Sequence, residues 1–139
     1  MRLSTTSLHN HFSRASMPKY FDIHSHLNFK DYDGDREEVI ERLRETETHT
    51  ICIGTDLESS RSAVALAEKH EGIYACIGQH PVDRKDEYFD ISKYEDLIRS
   101  PKVVAIGECG LDFYHAKKED DYERQKNLFL IQIDFAIKH

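Results

Sequence analysis

The sequence has no excess of basic residues. Its 139 residues include 19 lysines and arginines against 26 aspartates and glutamates, which gives a formal net charge of −7. Proteins that coat nucleic acid hold its phosphates through many basic side chains and the release of counterions. The composition therefore excludes a broad basic binding surface. It still allows an enzyme whose bound metal ions supply positive charge locally.

Long apolar runs are also absent. No apolar segment approaches the roughly 20 residues that a transmembrane helix needs. The first residues, MRLSTTSLHN, lack the apolar core of a secretory signal. We therefore expect no membrane partner and a cytoplasmic location.

Cysteine is scarce, and no CxxC pair occurs. The three cysteines Cys52, Cys76 and Cys109 are far apart, and each lies within or next to an apolar run. An odd number of widely spaced cysteines is not a disulfide framework. They are predicted to be reduced, mostly buried thiols, as in cytoplasmic proteins.

The chain divides into a leader, residues 1–17, and a domain, residues 18–139. The first sixteen residues contain two arginines, six serines and threonines, and no acidic residue. Such a composition is found in organelle-targeting peptides. A disordered tail, or a start codon assigned upstream of a true start at Met17, explains the same composition more simply.

From Met17 onward, strand-like and helix-like patterns alternate. Short, β-branched apolar runs predict strands at Tyr20–Ile23, Thr50–Gly54, Ile73–Gly78 and Lys102–Gly107. Helical periodicity predicts helices at Arg36–Glu47, Ser59–His70, Ile91–Arg99 and Asp120–His139. The spacing of the strands is that of right-handed βα units, so we predict an α/β fold with a parallel sheet.

Two of these helices carry more detailed predictions. Ser92 and Glu95 have the spacing of a capping box at the start of the third helix. In the last helix, one face is predicted from the side chains at helical spacing, namely Lys126, Phe129, Leu130, Ile133, Ala136 and Ile137.

The stretch FDIHSHLNF places two histidines at the end of the first strand. In an extended chain, His24 and His26 point to the same side as Asp22. Two neutral imidazoles at this spacing can bind one metal ion. A pair of hydrogen-bonded or partly exposed histidines is the alternative.

Polar residues follow two further strands. Gln79 and His80 come after the third strand, and Glu108 comes after the fourth. In parallel α/β folds, functional residues gather at the carboxyl ends of the strands. We therefore predict that His24, His26 and Glu108 converge on a metal site at one rim of the sheet.

These residues lie in segments that resemble a known family. FDIHSHLNF, IGQHP and IGECGLDFY resemble, in order and spacing, three motifs of the TatD family of metal-dependent hydrolases. The continuation ERQKNLFLIQIDFAIKH resembles the family's next helix, with Gln125, Phe129 and Gln132 at matching places. The resemblance implies a TIM (β/α)8 barrel and a deoxyribonuclease that hydrolyses phosphodiester bonds, with DNA as substrate, single-stranded or at 3′ ends.

The resemblance also implies roles for particular residues. His24 and His26 would hold a first divalent ion, and Glu108 would bridge it to a second and be essential for catalysis; the ions would be Mg, Mn or Zn. His80 would donate to a substrate phosphate, or is simply a hydrogen-bonded loop histidine. Asp112 would orient either a ligand or a backbone turn.

The sequence departs from the family in extent. A TIM barrel has eight strands and about 250 residues, whereas this sequence supplies only the first four βα units, an incomplete barrel. Two further histidines and an aspartate expected of the family have no counterpart here. We expect a fragment of a longer gene product, inactive and self-associating alone. An amidohydrolase acting on C–N bonds and a non-catalytic half-barrel are the alternatives. The substrate distinguishes the amidohydrolase from the nuclease, and the downstream reading frame distinguishes the half-barrel from a fragment.

Overall fold

A computed structural model describes residues 17–83, 85–86 and 88–139 of the chain. The strands are β1 Tyr20–Ser25, β2 Thr48–Ile53, β3 Ile73–Ile77 and β4 Val103–Ile106. The helices are α1 Arg36–Glu45, α2 Leu57–Lys69, α3 Ile91–Leu97 and α4 Lys118–Lys138, and a short 3-10 helix spans Lys30–Tyr32. Apart from residue 17, the predicted leader lies outside the described residues.

The strands form one parallel sheet in the order β1-β2-β3-β4. The α/β fold predicted from the alternating periods is confirmed. Pairing of β1 with β2 starts at Tyr20 opposite Thr48, and the register shifts between Asp22 and Ser25. Such an irregularity re-aims side chains locally, and it lies at His24, the first of the two histidines.

The core lies between the central strands and α2. Ala63 and Ala67 on α2 and Ala75 on β3 are fully buried, and their small side chains let the helix lie close to the sheet. Asp56 caps α2, because its side chain accepts a 2.7 Å hydrogen bond from the Ser59 backbone N–H while the Ser59 hydroxyl bonds back to the Asp56 N–H at 2.9 Å. A cap of this kind contributes about 1 kcal/mol.

The capping box predicted at Ser92 is wrong. Helix α3 starts at Ile91 with Asp90 as the N-cap residue, so Ser92 lies inside the first turn. The Ser92 hydroxyl donates a 2.7 Å hydrogen bond to the Asp90 carboxylate. Asp90 takes the N-cap position by its backbone conformation, and its carboxylate makes no capping hydrogen bond to the helix backbone because it binds the Ser92 hydroxyl and pairs with Lys93.

The face predicted for α4 is also wrong. The structure buries Gln125, Leu128, Gln132 and Phe135 and leaves Leu130 and Ile137 exposed. The helical period of a sequence is read from its apolar side chains, so it does not reveal buried polar ones. The two glutamine side chains are buried because each is hydrogen-bonded to the backbone of a loop. Phe135 completes an aromatic cluster with Phe89 and Tyr94, whose rings stack at 4.1 Å between centroids.

The edge strands are open. Ile23 on β1 is 73% exposed and Val104 on β4 is 51% exposed, although both are apolar. Each edge also presents unpaired backbone groups. Among the described residues, no helix is long and apolar enough to cross a membrane.

Candidate metal centre

His24, His26 and Glu108 lie together at the rim of the sheet. His24 Nε2 is 3.2 Å from His26 Nε2 and 3.7 Å from Glu108 Oε2. One ligand atom from each of the three lies within 4.8 Å of the others. Nitrogen and oxygen ligands that share an ion at bonds of about 2.0–2.2 Å are roughly 3–3.5 Å apart. The three side chains therefore fit a single ion after small adjustments.

The ring of His26 is oriented by a backbone carbonyl. His26 Nδ1 lies 3.2 Å from the carbonyl oxygen of Ile53, at the end of β2. A carbonyl only accepts, so Nδ1 carries the proton and donates, and Nε2 keeps its lone pair toward His24. Phe29 packs against the same ring at 4.5 Å between centroids. Histidine ligands of metals are commonly held in this way.

The convergence requires a curled sheet. With the order β1-β2-β3-β4, a flat sheet would place β1 and β4 about 14 Å apart, three spacings of about 4.8 Å. The 3.7 Å contact between His24 and Glu108 therefore requires the two edges to bend toward each other. The backbone agrees, because Glu108 N–H donates a 3.0 Å hydrogen bond to the carbonyl of Gly54, at the end of β2.

Gly78 permits this crossing, and the sequence reasoning overlooked it. The chain after β4 passes over the end of β3 on its way to β2. A Cβ atom at Gly78 would lie 2.5 Å from the carbonyl oxygen of Gly107 and 2.8 Å from Gln132 Oε1. Only glycine fits there. The available signal was a glycine directly after a buried strand, which often marks a close backbone approach.

His80 lies at the same rim in a hydrogen-bonded loop. Its Nδ1 is 2.8 Å from the Asp83 carboxylate, and its backbone N–H donates to the Thr55 carbonyl at 2.7 Å. It lines one shallow depression together with Glu108. Both sequence interpretations of His80, substrate contact and loop histidine, are compatible with this placement.

Asp112 organises a backbone turn. Its Oδ1 accepts hydrogen bonds from the N–H groups of Tyr114 and His115, both at 2.9 Å, and its Oδ2 is 2.6 Å from His115 Nδ1. The hydrogen bond from the His115 backbone is the largest cause that lowers the pKa of Asp112 to about 2. Of the two roles predicted for Asp112, the described hydrogen bonds match the orientation of a turn.

The cysteines are free thiols, as predicted. Burial raises the pKa of Cys76 to about 12, with smaller contributions from Cys109 and Glu108. Burial also raises the pKa of Cys109, and the Glu108 charge adds to it. Neither thiol belongs to the cluster of candidate ligands formed by His24, His26 and Glu108.

Comparisons with known proteins find similar sequences. The family model of TatD related DNases matches residues 21–139. The uncharacterized metal-dependent hydrolase YabD of Bacillus subtilis is 42% identical over 118 residues, covering 84% of this chain and 46% of YabD. The 3'-5' ssDNA/RNA exonuclease TatD of Cronobacter sakazakii is 39% identical over 97 residues, covering 67% of this chain and 36% of that protein.

A solved structure is similar as well. The TatD homologue YjjV of Escherichia coli superimposes with a TM-score of 0.74 at 29% identity, covering 87% of this chain and 48% of YjjV. The likeness confirms the predicted fold class, the first four βα units of a TIM barrel. This chain spans less than half the length of the relatives it matches.

Proposed function

Since the chain belongs to the TatD-related DNase family of metal-dependent hydrolases, we propose that residues 18–139 form the N-terminal half of a nuclease that hydrolyses phosphodiester bonds. The observation that supports this most directly is the approach of His24, His26 and Glu108 within one ion's reach. Two imidazoles and a carboxylate are ligands that Zn²⁺ and Mn²⁺ accept. The donor set therefore suits a divalent cation.

We assign the ligand roles as follows. The Nε2 atoms of His24 and His26 would hold one ion, with His26 fixed by its hydrogen bond to Ile53. Glu108 has two carboxylate oxygens, one for this ion and one for a second. Bound divalent ions would supply a water of lowered pKa and would offset charge on the phosphate. Mg²⁺, Mn²⁺ and Zn²⁺ are the candidates.

The substrate we propose is DNA, bound as a single strand or at a 3′ end. The Cronobacter relative is named an exonuclease of single-stranded DNA and RNA, which supports a nucleic-acid substrate. With a net charge of −7, the chain offers few basic side chains for phosphates. His80 at the rim would donate to a phosphate oxygen, and the bound ions would provide the rest of the attraction.

We further propose that the 139-residue chain alone is inactive and resides in the cytoplasm. Three side chains supply ligands for one ion, and the described residues offer no second cluster of this kind. The paired charge and the oriented water of a two-metal site would then be lacking. The free cysteines support a reducing compartment.

The test is hydrolysis of a 5′-labelled single-stranded oligonucleotide by the protein expressed from its complete reading frame. EDTA should abolish the activity, and Mg²⁺, Mn²⁺ or Zn²⁺ should restore it. Glu108→Ala should abolish it again, whereas Glu38→Ala, an exposed acid on α1, should leave it unchanged. Release of an amine from amides without attack on DNA would favour an amidohydrolase, and metal binding without any hydrolysis would favour a non-catalytic module.

A further inference from the structure

Helix α4 gives its most buried positions to two glutamines. Gln125 is 0% exposed and Gln132 is 1% exposed, while the apolar Leu130 and Ile137 on the same helix are exposed. The two glutamines are seven residues apart, about two helical turns, so they share one face. Burying an amide is unfavourable unless its hydrogen bonds are satisfied. Their partners therefore indicate what this face of the helix does.

Each glutamine forms paired hydrogen bonds with the backbone of a single residue. Gln132 Oε1 accepts from the Gln79 N–H at 2.8 Å, and its Nε2 donates to the Gln79 carbonyl at 2.9 Å. Gln125 Oε1 accepts from the Asp112 N–H at 2.7 Å, and its Nε2 donates to the Asp112 carbonyl at 3.0 Å. Such a pair fixes both the position and the orientation of the residue it holds.

The two held residues belong to the two rim loops. Gln79 directly precedes His80 in the loop after β3. Asp112 lies four residues beyond Glu108 in the loop after β4. That second loop is held at its start by the hydrogen bond from Glu108 N–H to Gly54. Gln125 holds it again at Asp112, near its middle, so the segment from Glu108 to Asp112 is fixed at both of its ends.

A further set of contacts on α4 joins the two loops. Arg124 donates a 2.5 Å hydrogen bond to the carbonyl of Pro81, next to His80. The Asp121 carboxylate accepts from Arg124 Nε and Nη2 at 2.6 Å each, and from Gln125 Nε2 at 3.0 Å. One connected network thus runs from Pro81 through α4 to Asp112.

We propose that Gln125 and Gln132 are positioning residues that set the geometry of the metal-ligand loop and the substrate loop, respectively. The proposal rests on the metal site and the nuclease function proposed above. A site whose ligands are held by surrounding hydrogen bonds binds a metal ion more tightly than a site with mobile ligands. The reason is that its ligands lose less conformational entropy when the ion binds. Gln125 acts through Asp112 on Glu108, and Gln132 acts through Gln79 on His80.

The first experiment measures Mn²⁺ affinity by isothermal titration calorimetry in the protein expressed from its complete reading frame. Gln125→Leu keeps the side chain's bulk but removes its two hydrogen bonds with Asp112 and the one to Asp121, and we expect the Kd for Mn²⁺ to rise at least tenfold. Leu128→Ala is the matched control, because Leu128 is buried on the same helix between the two glutamines. It should lower the thermal unfolding temperature comparably yet change the Mn²⁺ Kd less than twofold.

A milder variant covers the case in which Gln125→Leu fails to fold. Gln125→Asn keeps the amide on a side chain that is one methylene shorter, so it weakens both hydrogen bonds to Asp112 without burying a charge beside the Asp121 carboxylate. We expect it to fold and to show a smaller rise in the Mn²⁺ Kd, about threefold. Equal effects of the Gln125 variants and Leu128→Ala, or no effect of either Gln125 variant, would overturn the positioning role.

The second experiment separates the two loops. Gln132→Leu should raise the KM for a single-stranded oligonucleotide about fivefold, with a smaller change in kcat and an unchanged Mn²⁺ Kd. A Mn²⁺ Kd that rises as much as in Gln125→Leu, or an unchanged KM, would contradict the assignment. If the unsubstituted protein binds no Mn²⁺ or cleaves no DNA, the proposed function itself fails. If the unsubstituted protein binds Mn²⁺ and cleaves DNA, but the glutamine variants have the same Mn²⁺ Kd and KM as it has, only the positioning role fails.

Discussion

The centre and the edges of the sheet are built from strands with different surroundings. The central strands β2 and β3 are mostly buried, with Cys52, Ala75 and Ile77 fully inaccessible. The edge strands β1 and β4 keep most of their side chains exposed or half-buried. The centre supplies most of the buried core, and its strands are followed directly by Gly54 and Gly78, which have no side chain to contribute to a site.

The edges supply the candidate metal ligands. His24 lies in β1, His26 directly follows it, and Glu108 follows β4. These are the strands farthest apart in the sheet order, so their ligands meet only because the sheet curls and the chain after β4 crosses the end of β3. The comparison shows that Gly78, in the centre, leaves the space through which the segment that carries Glu108 reaches the histidines.

The largest effect is expected from Gly78→Ala, a substitution in the centre of the sheet that should disrupt the candidate metal site at its edges. The added Cβ would lie 2.5 Å from the Gly107 carbonyl oxygen, so the segment that carries Glu108 must move. We expect Mn²⁺ affinity to fall by more than a hundredfold, about 2.7 kcal/mol, with a stability loss of roughly 1–3 kcal/mol. Gly34→Ala, where a Cβ meets nothing within 4 Å, is the control in calorimetry, and equal affinities for both variants would refute the crossing.

A pair of isoleucines tests the comparison through stability. Ile77→Ala in the buried centre should cost roughly 2–5 kcal/mol of unfolding free energy, since Ile77 is 0% exposed. Ile23→Ala on the open edge should cost about 0.5 kcal/mol or less at protein concentrations at which the chain is monomeric. Urea denaturation of the 139-residue chain measures both. Similar costs would mean that β1 is covered in solution, as it would be if the chain self-associates.

His80→Ala should have a moderate effect at the rim. If His80 donates to a substrate phosphate, its removal should raise the KM for a single-stranded oligonucleotide about tenfold, the cost of one charge-assisted hydrogen bond, ~1.5 kcal/mol. The kcat should change less. Steady-state kinetics decide the matter, with Asp83→Asn as a companion variant that leaves the imidazole in place but removes its 2.8 Å carboxylate partner. An unchanged KM for His80→Ala would remove His80 from the substrate site.

The smallest effect is a pH dependence of the α4 network. The hydrogen bond from Arg124 is the largest cause that lowers the pKa of Asp121 to about 2. A lowered carboxylate pKa stabilises the fold above the unfolded value near 4, and the contribution is lost as the pH falls through about 2. The stability difference between wild type and Asp121→Asn should therefore be constant above about pH 5 and shrink toward pH 2.

Urea denaturation at several pH values measures this difference. Asp134→Asn, an exposed acid on the same helix, controls for the change in net charge. A difference between wild type and Asp121→Asn that does not vary with pH would contradict the role assigned to the Asp121–Arg124 pair.

The strand and helix order could be predicted because apolar periods of 2 and 3.6 are local properties of the sequence. The approach of His24, His26 and Glu108 was also predictable, since residues at the carboxyl ends of parallel strands share one rim. The buried face of α4 was not, because Gln125 and Gln132 are buried through partners in distant loops. The necessity of Gly78 was hidden for the same reason, since it depends on where Gly107 passes.

The central claim is that His24, His26 and Glu108 hold a divalent ion, and anomalous diffraction from crystals grown with Mn²⁺ tests it most directly. The account predicts an anomalous peak about 2.0–2.3 Å from the Nε2 atoms of both histidines and from a Glu108 carboxylate oxygen. The peak should disappear in crystals of Glu108→Ala. Manganese bound elsewhere while these three side chains diverge, or no manganese at the rim at saturating concentration, would contradict it.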